Sequence, residues 1–426
     1  MNPLIKTLSS ENNEDIYNFF VTIKIKPSES FDSFDPPDSN VWIGKEMIVG
    51  TQFGFVSTYP PTHCGIATFN ASLVASIKGA GANSASVIRL IDADSQDIRE
   101  SNGSEVVAVM KAGDPVSLMK AVQVLNALDV AIIQHEFGIY GGIDGDEVLT
   151  LLRGLRVPAI VVLHTVLADP TENQRAVFLE ICSLASAVVT MSKSARDELI
   201  NSYDMDPRKI NPIPHGARAV ANSEYVVSQH SPLILTWGLI GPGKGIEWGI
   251  EAMDKLRDLS CSPRYVVAGR THPKVLEREG EAYRNGLQIR INQLGLSKFI
   301  RLEGDYMESE ALDALIASAS VVLLPYDSLD QATSGVLIEA ITARRPVVAT
   351  GFPHALELLS TGAGIVVPQK NPAEMASALT KILERPDLAR SMSHQAHVMA
   401  SELLWPAVAT RYIRLASLVI NAAVAA

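Results

Sequence analysis

The chain has 426 residues, 47% of them apolar, and a formal charge of −11 from 36 basic and 47 acidic side chains. That length suits two or three domains with a large core. The negative balance argues against a protein that wraps nucleic acid but still permits a local basic pocket.

The three cysteines, Cys64, Cys182 and Cys261, match neither a zinc motif nor a disulfide framework, which points to a reducing, cytoplasmic setting. No apolar run reads as long enough to span a bilayer, and the N-terminus lacks the basic start and apolar core of a secretory signal.

Residues 1–46 hold eight acidic and four basic side chains, with a Ser-, Asp- and Pro-rich second half. Their weak periodicity predicts a poorly structured extension, with the folded chain starting near Met47, itself an alternative start. From there apolar runs alternate with helical patterns. "FGFVST", "SASVIRL", "EVVAVM", "VAIIQHE", "AIVVLHT" and "AVVTMS" read as strands of a first domain over 47–228. The polar stretch Ala219 to Ser231 reads as a linker. The alternation restarts with "LILTWG", "RYVVAG", "FIRLEG", "SVVLLPY", "PVVAT" and "AGIVVP", a second domain over 229–404. Strand–helix alternation of this kind predicts an α/β protein of two doubly wound Rossmann-like domains, with ligands in the cleft between them. The tail reads as two helices broken at Trp405-Pro406, the last a packed terminal helix, with a membrane-surface helix as the alternative.

Five segments carry chemistry. In "STYPPTHCGIATF", Gly65 opens a helix after the first strand, where bare backbone and free amides suit a phosphate, although an ordinary strand-to-helix turn has the same appearance. In "WGLIGPGKGIEWG", Gly238, Gly241, Gly243 and Gly245 free a loop in which Lys244 supplies charge. The pattern fits a P-loop except that Gly245 stands where a Ser or Thr would hold magnesium. Arg270 follows a second-domain strand and suits a diphosphate, or is a surface arginine. In "YDSLDQATSGVLIEA", Asp327 to Gln331 form a polar loop, Thr333, Ser334 and Gly335 open a helix, and Glu339 lies about one turn on, placed to accept from paired hydroxyls. His135 with Glu136, His164 and His215 end strands, which predicts three histidines on one rim. Asp92 with Asp94, and Asp144 with Asp146, match a short Asp-x-Asp pattern and read as loop or helix-cap carboxylates, the latter pair near enough to a Gly-rich loop to touch an acceptor. No metal site and no bound cofactor are expected.

Together "YPPTHCGIATF", "VVLHT", "IPHGA", "GLIGPGKG" and "TSGVLIEA" occur in the order that resembles the group 1 (family 4) retaining glycosyltransferases of the GT-B fold, over nearly everything after Met47. The resemblance implies a hexosyltransferase that takes a nucleotide-sugar donor, GDP-mannose or UDP-glucose in class, to a sugar, lipid or small-molecule acceptor, with retention and without a required metal. It implies that residues 405–426 cross back to complete the first domain. It places Gly65 and Lys244 by the diphosphate, His164 on the transferred sugar and Glu339 on the ribose; Gly243, Ser334 and Gly335 are expected at the donor from their loop and helix-opening positions. Two positions depart: Gln331 replaces the first glutamate of the Glu-(seven residues)-Glu motif, and Leu239 replaces an arginine for which Arg270 is a candidate substitute. Catalysis would fall to His164, Gln331 and Lys244. A degenerate binding protein, a nucleotide-sugar epimerase and a P-loop ATPase are the competing readings, and oligomeric state is open.

Overall fold

The chain divides into two units, Met1–Ile48 and Val49–Ala426. The computed structural model describes residues 50–62, 64–95, 105–220, 224–226, 228, 230–304, 307, 310–328 and 333–425, with the backbone of 42–43, 46–47 and 309. Trp42–Ile43 and Glu46–Met47 pair as a short antiparallel ladder. The rest of the acidic N-terminal stretch, predicted as an extension, lies outside the described residues.

Two parallel sheets organise Val49–Ala426. The first holds β1 (Gln52–Ser57), β2 (Ser84–Ile91), β3 (Val106–Lys111), β4 (Val130–His135), β5 (Ala159–Leu163), β6 (Ala187–Thr190) and β7 (Ile210–Pro212), in the order β3-β2-β1-β4-β5-β6-β7. The second holds β8 (Leu233–Trp237), β9 (Arg264–Ala268), β10 (Ile300–Glu303), β11 (Val321–Leu324), β12 (Val347–Thr350) and β13 (Gly364–Val367), in the order β10-β9-β8-β11-β12-β13. Each sheet reverses its winding beside its first strand, and the carboxyl ends of strands at such a switch point are where open α/β sheets bind ligands. The central strands are buried along their whole length because helices cover both faces.

All twelve predicted strands form. In these two sheets the unpredicted strand, β7, is three residues long and ends in Pro212, whose missing N–H confines it to a sheet edge. Local chemistry starts the helices. Asp114 caps Pro115–Leu125 by accepting from the Val116 and Ser117 amides. Thr171 and Gln174 close a reciprocal capping box on Glu172–Leu184, and Asn371 caps Pro372–Glu384.

The chain crosses between the sheets twice. The outward linker lays Tyr225 on the guanidinium of Arg345, 5.0 Å from the ring centroid, and the Tyr225 hydroxyl donates to the Ser320 carbonyl at 2.9 Å. The return occurs at Leu404, between helices Pro386–Leu403 and Trp405–Ala425. The two crossings touch: the Ala217 amide donates to the Leu403 carbonyl at 2.8 Å and the Trp405 amide donates to Ala217 at 3.0 Å.

Trp405–Ala425 is long and apolar enough, by length and composition, to cross a membrane, contrary to the expectation that no run would be. Its first half is spent otherwise. Trp405, Val408, Ala409, Tyr412, Leu415 and Ala416 are buried in one cluster with Phe53, Phe69 and Leu73 of the first domain. Burial of the larger of these side chains, such as Val408 and Leu415, contributes about 1.5–3 kcal/mol each.

Candidate active site

At the carboxyl end of the first sheet, Cys64 in extended conformation caps helix Gly65–Lys78, its sulfur accepting from the Ala67 amide at 3.4 Å. A Cβ on Gly65 would meet no atom within 4 Å, so the helix opens onto free space. One turn along, Phe69 is the hub of a ring cluster: its centroid lies 5.0 Å from His164, 4.9 Å from His215 and 5.0 Å from Trp405, each edge-to-face. His164 follows β5 and its Nε2 meets Gln134 Oε1 at 2.8 Å, while the Gln134 amide donates to Asn70. That network makes Nε2 the protonated nitrogen of His164. Burial, with the nearby His215 and His135, lowers its pKa to about 3, so the ring is neutral. His215 donates from Nδ1 to the Gly216 carbonyl at 2.7 Å, and burial lowers its pKa to about 4.

The expectation of three histidines on one rim fails at His135. Strand alternation turns it to the opposite face from Gln134, and it is fully buried among Phe137, Tyr140 and Phe178 with both ring nitrogens unpaired. Its neighbour Glu136 does reach the rim. There its carboxylate accepts from the Thr165 hydroxyl at 2.5 Å and the Phe137 amide at 3.1 Å, and burial raises its pKa.

Across from this rim, the glycine-rich loop after β8 is tightly built. Gly238 and Gly269 cross so closely that a Cβ on Gly269 would lie 1.8 Å from the Gly238 carbonyl oxygen. The Gly243 carbonyl accepts from the amides of Asp327 and Ser328, at 3.2 and 3.4 Å, which joins this loop to the one after β11. Lys244 places its ammonium 4.4 Å from the centre of the Tyr326 ring. Arg270 runs alongside, its carbonyl accepting from the Ile240 amide at 2.9 Å. The P-loop alternative fails here: Gly245 has φ +61°, and a Cβ would sit 2.0 Å from the Pro325 carbonyl oxygen, which leaves no room for a metal-holding hydroxyl.

Helix Gly335–Thr342 starts at the carboxyl end of β11. Ser334 caps it, its hydroxyl accepting from the Leu337 amide at 3.2 Å, and the Ser334 amide donates to His354 Nδ1 at 3.0 Å. The Gly335 and Val336 amides begin the helix and have no intrahelical carbonyl to meet. A Cβ on Gly335 would lie 3.2 Å from His215 Nε2, so the opening turn rests against the first-domain rim. Glu339, one turn on, accepts from the Trp237 indole N–H at 2.8 Å, and burial raises its pKa against the pull of that bond. Gln331 lies outside the described residues.

Two further contacts bridge the domains. Lys274 reaches to 3.5 Å from the Gly138 carbonyl. Glu357 accepts from the Lys193 amide at 2.9 Å and the Ser194 amide at 3.2 Å, capping the first-domain helix Lys193–Tyr203.

A family model described as glycosyl transferases group 1 matches residues 222–399, the part of the chain that carries Lys244, Ser334 and Glu339. The chain is 28% identical to the alpha-D-kanosaminyltransferase of Streptomyces kanamyceticus over 57% of its own length and 66% of that protein's. It is also 28% identical to the D-inositol 3-phosphate glycosyltransferase of Corynebacterium efficiens, over 65% of its own length and 72% of the relative's. Among solved structures, the fold is similar to a glycosyltransferase from Rickettsia africae, with TM-score 0.69 and 13% identity over 87% of this chain and 99% of that one. It is similar to Anabaena HepE in complex with UDP-glucose, with TM-score 0.65 and 16% identity over 87% and 100% of the two chains. Residues 222–399 are thus similar to the group 1 glycosyltransferases, and the fold is GT-B.

The fold therefore brings Gly65, through Phe69, together with His164, Ser334, Gly335 and Glu339, and sets Gly243, Lys244 and Arg270 on the loops beside them. Among the described residues no group of three or more His, Cys, Asp or Glu side chains is arranged to hold a metal ion. Asp144 is used locally, accepting from the Asn173 amide at 2.7 Å. Sequence reasoning passed over Trp237, His354, Phe69 and Trp405. Trp237 meets Glu339 from 102 positions away, a separation that no local motif encodes. His354 stands four residues past "PVVAT", inside a short helix, and meets Ser334 from 20 positions away.

Proposed function

We propose that the protein transfers a hexose from a nucleoside-diphosphate sugar, GDP-mannose or UDP-glucose in class, to an acceptor hydroxyl with retention at the anomeric carbon and no required metal. The observation that supports this reading most directly is the meeting of the Ser334–Gly335 helix opening with the His164–His215 rim, one turn before Glu339. Free amides at a helix start and the Lys244 ammonium suit a leaving diphosphate, whose charge grows as the glycosidic bond breaks. Glu339 offers the carboxylate edge that Trp237 does not use to a pair of ribose hydroxyls. His164 is neutral, so it serves the sugar as a hydrogen-bond partner and not as an acid. Closing the cleft excludes water, which leaves the acceptor as nucleophile to an oxocarbenium-like carbon. Arg270 takes the place of the family arginine lost at Leu239.

The test is thermal stabilisation by UDP, GDP, ADP and their sugar conjugates without metal. One nucleotide should raise the melting temperature, and Lys244→Ala and Glu339→Ala should each abolish most of that rise. A rise that survives both substitutions rejects this donor site. Arg270→Ala with unchanged affinity removes Arg270 from it. Leu239 also supports a second reading, a protein that binds the donor without turnover. Binding by every assay with no transfer to any acceptor favours that reading.

A further inference from the structure

His354 lies in no segment that the family resemblance covers with a role, yet it is 1% exposed and sits at the opening of the donor helix. It comes from helix Pro353–Leu359, directly after β12. Its Nδ1 accepts the Ser334 amide at 3.0 Å, so the ring proton resides on Nε2. Ser334 precedes the helix, and its amide would otherwise be one more unpaired donor beside the two that open the helix. The same residue caps the Leu337 amide with its hydroxyl. Ser334 is thus held through its backbone by one element and holds the next turn through its side chain. On the far side Gly335 abuts His215, where even a methyl group would crowd the imidazole.

We propose that His354 is a positioning residue for the donor diphosphate: by accepting the Ser334 amide it fixes the turn that aims the Gly335 and Val336 amides into the cleft. This inference rests on the donor-site reading above. Burial, with His215 nearby, lowers the His354 pKa to about 3, so the accepting lone pair persists throughout the neutral range. A serine amide released from His354 would let the turn rotate, and the two helix amides would lose their shared direction.

The experiment measures affinity for UDP and for GDP by thermal shift in His354→Asn, His354→Gln and His354→Ala. Asparagine puts its amide oxygen where Nδ1 stands; glutamine offers its polar group at the Nε2 position. Loss of one such hydrogen bond predicts an affinity lowered about 5- to 10-fold in the Gln and Ala variants, with Asn close to wild type. Equal affinity in all four proteins overturns the proposal, and so does an Asn variant as weak as Ala. If Ala does not fold, the Asn–Gln comparison decides alone. If the wild type is stabilised by neither nucleotide, the donor site itself fails and this inference falls with it. If the wild type responds and the variants do not differ, only the role of His354 is lost.

Discussion

A methyl group on Gly245 would press on the Pro325 carbonyl oxygen from 2.0 Å, at a backbone φ of +61°. Gly245→Ala is therefore expected to cost at least about 2 kcal/mol in stability from backbone strain and overpacking together. The nucleotide-induced rise in melting temperature should vanish with it; an unchanged rise would mean that the loop does not touch the ligand. His135 makes the opposite case. Its two unpaired ring nitrogens, in an aromatic box, cost stability that a hydrocarbon ring avoids. His135→Phe is expected to raise the urea midpoint, most clearly at pH 5, and an equal or lower midpoint there would show that the box cannot take the larger ring. These residues also mark where sequence reading succeeded and stopped. Glycine spacing announced the loop after β8, because only backbone freedom explains four glycines there. The direction of His135 did not show, since strand alternation puts Gln134 and His135 on opposite faces and the one that faces the cleft is set by register.

Among the elements, the short helix Pro353–Leu359 has two attachments. His354 accepts from the Ser334 amide that opens helix Gly335–Thr342, and Glu357 caps Lys193–Tyr203 of the other domain. An N-terminal cap of this kind contributes about 0.5–2 kcal/mol. Glu357→Ala should shift the unliganded protein toward open forms, which small-angle scattering would register as a larger radius of gyration. An unchanged radius would show that the cap is incidental to closure. Neither attachment was legible beforehand. The strands were, because their apolar runs are continuous, and so was the break before Pro406. Partners 20 and 164 positions apart leave no periodic trace.

For the molecule as a whole, four buried histidines contribute to acid sensitivity. His135 and His215 have pKa values lowered to about 4, and His164 and His354 to about 3, all chiefly by burial, from an ordinary value of 6.5. Below 6.5 the unfolded chain binds protons that the folded one refuses. Their contribution is therefore complete above pH 6.5 and is lost as the pH falls toward 4 and 3, at up to about 1.4 kcal/mol per pH unit for each ring. The urea midpoint should drop steeply between pH 6.5 and 4.5, and more shallowly in His135→Phe. A midpoint flat across that range would contradict the buried, neutral assignment.

The Trp405 ring lies so close to Gly216 that a Cβ there would approach it to 2.3 Å, and it completes the ring cluster of Phe69, His164 and His215. Nearly 190 residues separate the two positions. At about 5–20 residues per second, a ribosome needs roughly 10–40 s to cover them. Throughout that interval the first domain stands without its closing tryptophan, its apolar seat for the last helix uncovered. The His164–His215 rim is thus among the last parts of the protein to be finished, although most of its residues are among the first to emerge.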